Sequence, residues 1–207
     1  MIIDPATASR PDVYKLMIRS VIPRPIAWVS SVSRSGRTNL APFSFFMAVS
    51  SSPPTLAFAP GRHEDGTKKD TLLNIEETRQ FVVNVVTEAT AERMNETATE
   101  FPRGASEFER AGLTAAASER VSAPRVSESP IHFECELYDI IPVGADEVGG
   151  AAIVIGEIVL IHVDDSILDG GKVDPARLAA IGRLGGMEYA TTRDRFTMVR
   201  KQYRPEP

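Results

Sequence analysis

Apolar and polar positions alternate most regularly over residues 131–138, where Ile131, Phe133, Cys135 and Leu137 point one way and His132, Glu134 and Glu136 the other. A period of two predicts a strand with one buried face, which puts Cys135 in the core as a small apolar residue and His132 with its glutamates on a solvated face. Residues 153–163 are apolar on both parities, with Ile153, Ile155, Val159, Ile161 and Val163 on one and Val154, Ile158 and Leu160 on the other. A strand covered on both faces in so small a chain needs a second subunit as cover. The pattern therefore predicts a homodimer, with His162 at the interface. Further strands are expected at 26–33, at 55–59, at 81–86 with Asn84 interrupting the apolar run, and near 196–199.

Helical spacing is weaker. Residues 12–19 place Val13, Leu16 and Met17 on one inner side before Pro23 and Pro25 end the element. Residues 70–79 set Leu72, Leu73 and Ile75 at helix-compatible spacing, with Asp70 as the N-cap. Residues 88–130 differ in composition, being rich in Ala, Ser, Thr, Glu and Arg, with short helices expected at 91–98 and 106–111 and Gly112 stopping the second. Their apolar residues are too few for a second core. The segment reads as an excursion from one domain spanning 1–207, covering a site or reaching a partner, with Phe101, Pro102, Arg103 and Gly104 as a lid element. Near the other end, Asp174 caps a short helix over 175–180.

Between the strands expected at 26–33 and 55–59 lies the stretch with the most suggestive chemistry, TNLAPFSFFMAVSSSPP at 38–54. It offers an amide at Asn39, backbone stiffened by Pro42, the trio Ser44, Phe45 and Phe46, and a hydroxyl run at Ser50, Ser51 and Ser52 that Pro53 and Pro54 place at a strand end. Such a stretch can line a flat ligand and hold an anion. Lys68, Lys69, Asp70 and Thr71 open the helix at 70–79, and a helix N-terminus with lysines and a hydroxyl suits a phosphate. Trp28 and Arg24 are expected beside this site, as a half-buried strand aromatic and a surface charge.

Composition narrows the field mainly by exclusion. The chain has 207 residues, 43% of them hydrophobic and 25% charged, with a net charge of -5, which fits a globular domain and argues against nucleic acid as partner. No run reaches the roughly 18 apolar residues of a membrane span, and the first residues do not read as a targeting segment, so no membrane association and a cytoplasmic location are expected. One cysteine excludes an intramolecular disulfide, and the three histidines show no metal-ligand spacing. There is no G-x-S-x-G elbow, Walker A sequence, G-x-G-x-x-G after a strand or H-E-x-x-H. A seat for a ring and a phosphate with little acid-base equipment fits chemistry carried by an organic cofactor.

Four segments taken in order are more specific than any one. PRPIAWVSS at 23–31, NLAPFSFFMAVSSSPP at 39–54, KDTLLN at 69–74 with FVVNVV at 81–86, and RLGG at 183–186 resemble the flavin-reductase-like family of FMN-binding split barrels, in the branch of the nitrilotriacetate monooxygenase reductase component and flavoredoxin. The resemblance spans about residues 15–200. It implies a mainly β fold with peripheral helices (α+β), an FMN-binding split β-barrel, with FMN or alternatively FAD as redox centre and no catalytic side chain beyond the flavin N5. It also implies that Asn39, Leu40, Ala41, Ser44, Phe45 and Phe46 meet the ring and ribityl chain. Ser50, Ser51, Lys69 and Thr71 would hold the phosphate, Asp70 would fix the helix start, and Arg183 and Tyr189 would lie close to the flavin. The implied activity is an NAD(P)H:flavin reductase, using NADH or NADPH, that supplies reduced flavin to a monooxygenase. Many members carry a histidine just before the strand at 153–156, where this chain reads Gly149, Gly150, Ala151, Ala152. That departure keeps two other readings open: an FMN-binding electron carrier without nicotinamide activity, and a non-catalytic flavin-binding protein.

Overall fold

The computed structural model describes residues 1–102, 104–201 and 203, so Arg103 of the expected lid element lies outside it. Helix α1 (Arg10–Ser20) precedes strands β1 (Ala27–Val32), β2 (Thr38–Phe43), β3 (Phe46–Ser51) and β4 (Pro54–Phe58), then α2 (Asp70–Thr78) and β5 (Gln80–Val85). The excursion holds α3 (Ala91–Glu96), α4 (Glu107–Arg110) and a small hairpin, β6 (Ala115–Ala116) and β7 (Arg125–Val126). Two long strands follow, β8 (Ile131–Val143) and β9 (Ala151–Val163), then the hairpin β10 (Leu168–Asp169) and β11 (Lys172–Val173), α5 (Pro175–Leu178), and the hairpin β12 (Ile181–Arg183) and β13 (Tyr189–Thr191).

Seven strands form one antiparallel sheet in the order β2-β1-β5-β8-β9-β4-β3. Its two edges, β2 and β3, are consecutive in the chain and joined only by Ser44 and Phe45. The sheet therefore curls until its edges approach at that joint, and the barrel is split there because no ladder links them. Phe43 and Phe58, one from each flank, stack at 5.2 Å between ring centroids.

Inside the curl lies a core of Val29, Phe58, Phe81, Val83, Val154 and their neighbours, closed at one end by Leu72 and Ile75 of α2. Cys135 is in this core, as its alternation predicts, and burial pushes its thiol far above the usual range. Packing is close at Gly156 of β9. A Cβ there would lie 2.3 Å from Phe81 Cζ, so only glycine lets the ring in.

Several expectations are overturned, and most trace to the excursion. It does have a core: Met94, Phe108, Ala111, Leu113 and Val126 pack on Ile26, Trp28, Leu40 and Val86. Trp28 is accordingly fully buried, donating its indole N–H to Thr97 Oγ1 at 2.9 Å. The face of β8 expected in solvent is covered by residues 117–126 at His132 and Glu134, while Glu136 is exposed as expected. Glu134 is 0% exposed and accepts backbone N–H bonds from Glu119, Arg120 and Val121, while His162 meets the same carboxylate at 2.5 Å. His132, also buried, meets the Val126 carbonyl through Nε2 and leaves Nδ1 without a partner. A neutral ring donating from Nε2 satisfies that arrangement, and burial holds its pKa below the ordinary value. Asn84 does not weaken β5: its amide donates to the Trp28 carbonyl and Ser30 Oγ and accepts from the Val126 N–H.

Other differences are local. Lys69, not Asp70, occupies the N-cap position of α2, without a side-chain cap. Leu16 and Met17 of α1 remain exposed rather than facing a core. Residues 196–199 form no strand, and Phe196, Met198 and Val199 are exposed; the last strand among the described residues is β13.

Candidate functional site

The joint between β2 and β3 is organised from beneath by Arg24, which is 5% exposed rather than a surface charge. Its Nε donates to Ser44 Oγ at 3.2 Å, Nη1 to the carbonyls of Ile18 and Val21, and Nη2 to that of Leu184. Burial is the largest influence on its pKa and lowers it, with Tyr14 opposing and Arg183 adding to the effect. One guanidinium thus ties the end of α1, the joint and the segment after β12 together. Because Ser44 Oγ accepts from Arg24, its own proton is free for a ligand.

Two adjoining recesses flank the joint. The larger, about 750 Å³, lies between α1, the joint and the loop before β9, with Tyr14, Met17, Pro42, Phe45, Arg62 and Gly149 among its walls. The smaller, about 190 Å³, is lined by Asn39, Ala41, Lys69, Thr71, Glu100 and Glu107 among others. They share Pro42, Phe43 and Gly61. The result is an elongated cleft, apolar at one end and charged at the other.

At the charged end, the first turn of α2 presents backbone N–H groups beside Lys69. Lys69 Nζ is held by Glu100 Oε1 at 2.5 Å, and His63 Nδ1 lies 3.1 Å from the same oxygen. Lys69 is the main cause that keeps the Glu100 carboxyl below its usual pKa. Thr71 is 1% exposed and accepts a bond from Asn39 Nδ2 at 2.8 Å, locking β2 to α2. Burial pushes the Glu107 carboxyl up, and it accepts the Leu40 N–H at 3.1 Å.

The residues anticipated from the sequence divide accordingly. Asn39, Ala41, Lys69, Asp70 and Thr71 line the charged end, and Ser44 and Phe45 the apolar end. Strand alternation turns Leu40 away into the core with Trp28, leaving only its backbone near the cleft. Phe46 packs against the main core. Ser50 and Ser51 are exposed at the far tip of the β3–β4 hairpin, outside the lining of both recesses. At roughly 3.3 Å per residue, β3 carries Ser51 about 15 Å from the joint, so within one protomer these hydroxyls do not meet Lys69. Arg183 pairs with the Arg24 backbone, and its guanidinium lies 4.4 Å from the Tyr189 ring centroid.

His63, Glu100 and Glu107 are site residues that the sequence pattern does not reveal, and Arg24, expected beside the site as a surface charge, is instead buried within it. A charge between two prolines at the head of an apolar strand was the available sign for Arg24. Glu100 carried none, since 31 positions separate it from Lys69. Among the described residues no cluster of His, Cys, Asp and Glu could hold a metal ion, and no helix is long and apolar enough to cross a membrane.

Residues 18–178 match the family described as flavin reductase like domain. An uncharacterized protein of Aquifex aeolicus is 46% identical over 178 residues, covering 86% of this chain and 88% of the relative. Among solved structures, nitrilotriacetate monooxygenase component B from Bacillus cereus is 37% identical with a TM-score of 0.91, covering 96% of this chain and 98% of that one. The 2-nitrobenzoate 2-nitroreductase of Pseudomonas fluorescens is 35% identical with a TM-score of 0.85, covering 100% and 99%.

Proposed function

The chain belongs to the flavin reductase-like family, and from that premise we propose that it binds FMN, with FAD as the alternative, and acts as an NAD(P)H:flavin oxidoreductase. The carrying observation is the pair of adjoining recesses that extends from Lys69 at the start of α2 to the apolar walls around Pro42 and Phe45. Lys69 and the first N–H groups of α2 would take the phosphate, Asn39 and Ala41 the ribityl chain, and Pro42, Ser44 and Phe45 the ring. Bound there, the flavin would accept a hydride from NADH or NADPH and pass the electrons onward, as reduced flavin to a monooxygenase. The chain's own contribution is position: Arg24 fixes Ser44, whose hydroxyl would donate at the ring edge, and α1 forms one wall of the larger recess.

A second reading, an FMN-bound electron carrier fed by another donor, is favoured by the loop before β9. Gly149 brings no side chain to the recess, and a Cβ there would lie 2.9 Å from Arg10 Cδ, so arginine covers the place. Anaerobic mixing of FMN-loaded protein with NADH, and separately with NADPH, decides between them. Rapid bleaching of flavin absorbance is expected with one donor; bleaching by dithionite alone would establish the carrier.

The protein is further proposed to work as a homodimer. Tyr138, Ile141 and Val143 of β8 and Ile161 and Val163 of β9 stay exposed, apolar surface at both ends of the β8–β9 ladder that a second copy would cover. Sedimentation equilibrium at micromolar concentration should give twice the chain mass, and a monomer would refute it.

A further inference from the structure

Building on the flavin reading, we propose that Glu100 sets how tightly the cleft holds the phosphate by occupying Lys69 until the phosphate displaces it. The positions coincide: the Lys69 ammonium, which would meet a phosphate at the start of α2, already has a carboxylate at 2.5 Å. That carboxylate comes from a strap, residues 97–101, which leads out of α3 and lines the smaller recess. His63 closes on the same oxygen at 3.1 Å, so Glu100 bridges two cationic or donor groups from the opposite wall.

The strap is suited to giving way. The Glu100 side chain is 56% exposed while Lys69 is 28% exposed, so the acid can swing into water while the lysine stays at the helix end. The strap keeps its root, because Thr97 remains bonded to Trp28 and to the Met94 carbonyl. Two anions cannot share one ammonium at this distance without repulsion, so a phosphate must expel the carboxylate. A phosphate near two negative charges with several acceptor oxygens outcompetes one carboxylate, yet its net gain is what remains after the existing pair breaks. A flavin held this way exchanges readily, as a diffusible reduced product requires.

Glu107 and Asp70 also line this recess, but Glu107 is engaged by the Leu40 N–H. Glu100 is the carboxylate whose removal unmasks Lys69 without disturbing β2 or α2.

The test is titration of FMN and of riboflavin, followed by flavin fluorescence, against wild type, Glu100→Gln, Lys69→Ala and the double variant. Glu100→Gln should bind FMN about tenfold tighter, the scale of one charge-assisted hydrogen bond, and riboflavin unchanged. On the Lys69→Ala background, the Glu100 change should have no further effect. Equal or weaker FMN binding by Glu100→Gln overturns the proposal, as does equal tightening of riboflavin, which would place Glu100 at the ring. FMN affinity unaltered by Lys69→Ala defeats the phosphate assignment itself. A loss in Lys69→Ala with no gain in Glu100→Gln defeats only the role of Glu100.

Discussion

Glu134→Ala should lower the melting temperature by roughly 10 °C and make residues 117–123 the first site of proteolysis. The carboxylate is fully buried and gathers three backbone N–H donors and His162. Removing one partner of a buried charged pair costs about 3–5 kcal/mol because the others are left without their acceptor. In a chain of this size each kcal/mol moves the midpoint by about 2–4 °C. The pH dependence is informative. Burial pushes Glu134 up, but the Glu119 N–H, His162 and the other two N–H bonds outweigh it and hold the carboxyl below its usual value. Its stabilisation is therefore present above the unfolded carboxyl pKa, about 4.3, and is lost as pH falls through the depressed folded value. His132 works earlier. Buried and neutral, it gains a proton on unfolding below about pH 6.5, so stability should begin to fall there. The variant should keep the His132 step and show a smaller loss at the lower one, where other depressed carboxylates such as Glu100 still contribute. A drop under 2 °C would mean that the excursion is held by apolar contacts alone.

Arg24→Ala should weaken FMN binding more than tenfold and cost several degrees of stability. Three carbonyls, from Ile18, Val21 and Leu184, lose their donor, and each buried group left unpaired costs about 1–3 kcal/mol. Ser44 also loses the contact that orients it toward the cleft. Arg24→Lys keeps the charge but not the planar fork that reaches four acceptors, and should recover only part of either property. FMN titration beside thermal melting separates the roles. Flavin affinity within twofold of wild type, despite a lowered melting temperature, would confine Arg24 to holding α1 in place.

Period-two alternation made β8 and the apolar face of Cys135 legible, because which residues can share a face of a strand is a local property. The helix after Lys69 was legible for the same reason, whereas β2, β3 and the joint between them at Ser44 and Phe45 were not. The solvated face assigned to His132 and Glu134 was not. Alternation shows that two faces differ without saying what covers the second, and here the cover is a segment whose apolar residues looked too sparse for a core. Met94, Phe108, Leu113 and Val126 suffice because Trp28, Leu40 and Val86 supply the other half.

By itself, then, the sequence determined β1, β4, β5, β8 and β9, the helix after Lys69 and the family. Only the tertiary structure decided that Ser50 and Ser51 sit at a hairpin tip outside both recesses, that Arg24 is a buried clamp, and that Glu100 faces Lys69. The reason is range. Propensity and periodicity act over a few residues, whereas the charge environment of a side chain depends on which distant segment the curl of the sheet brings beside it.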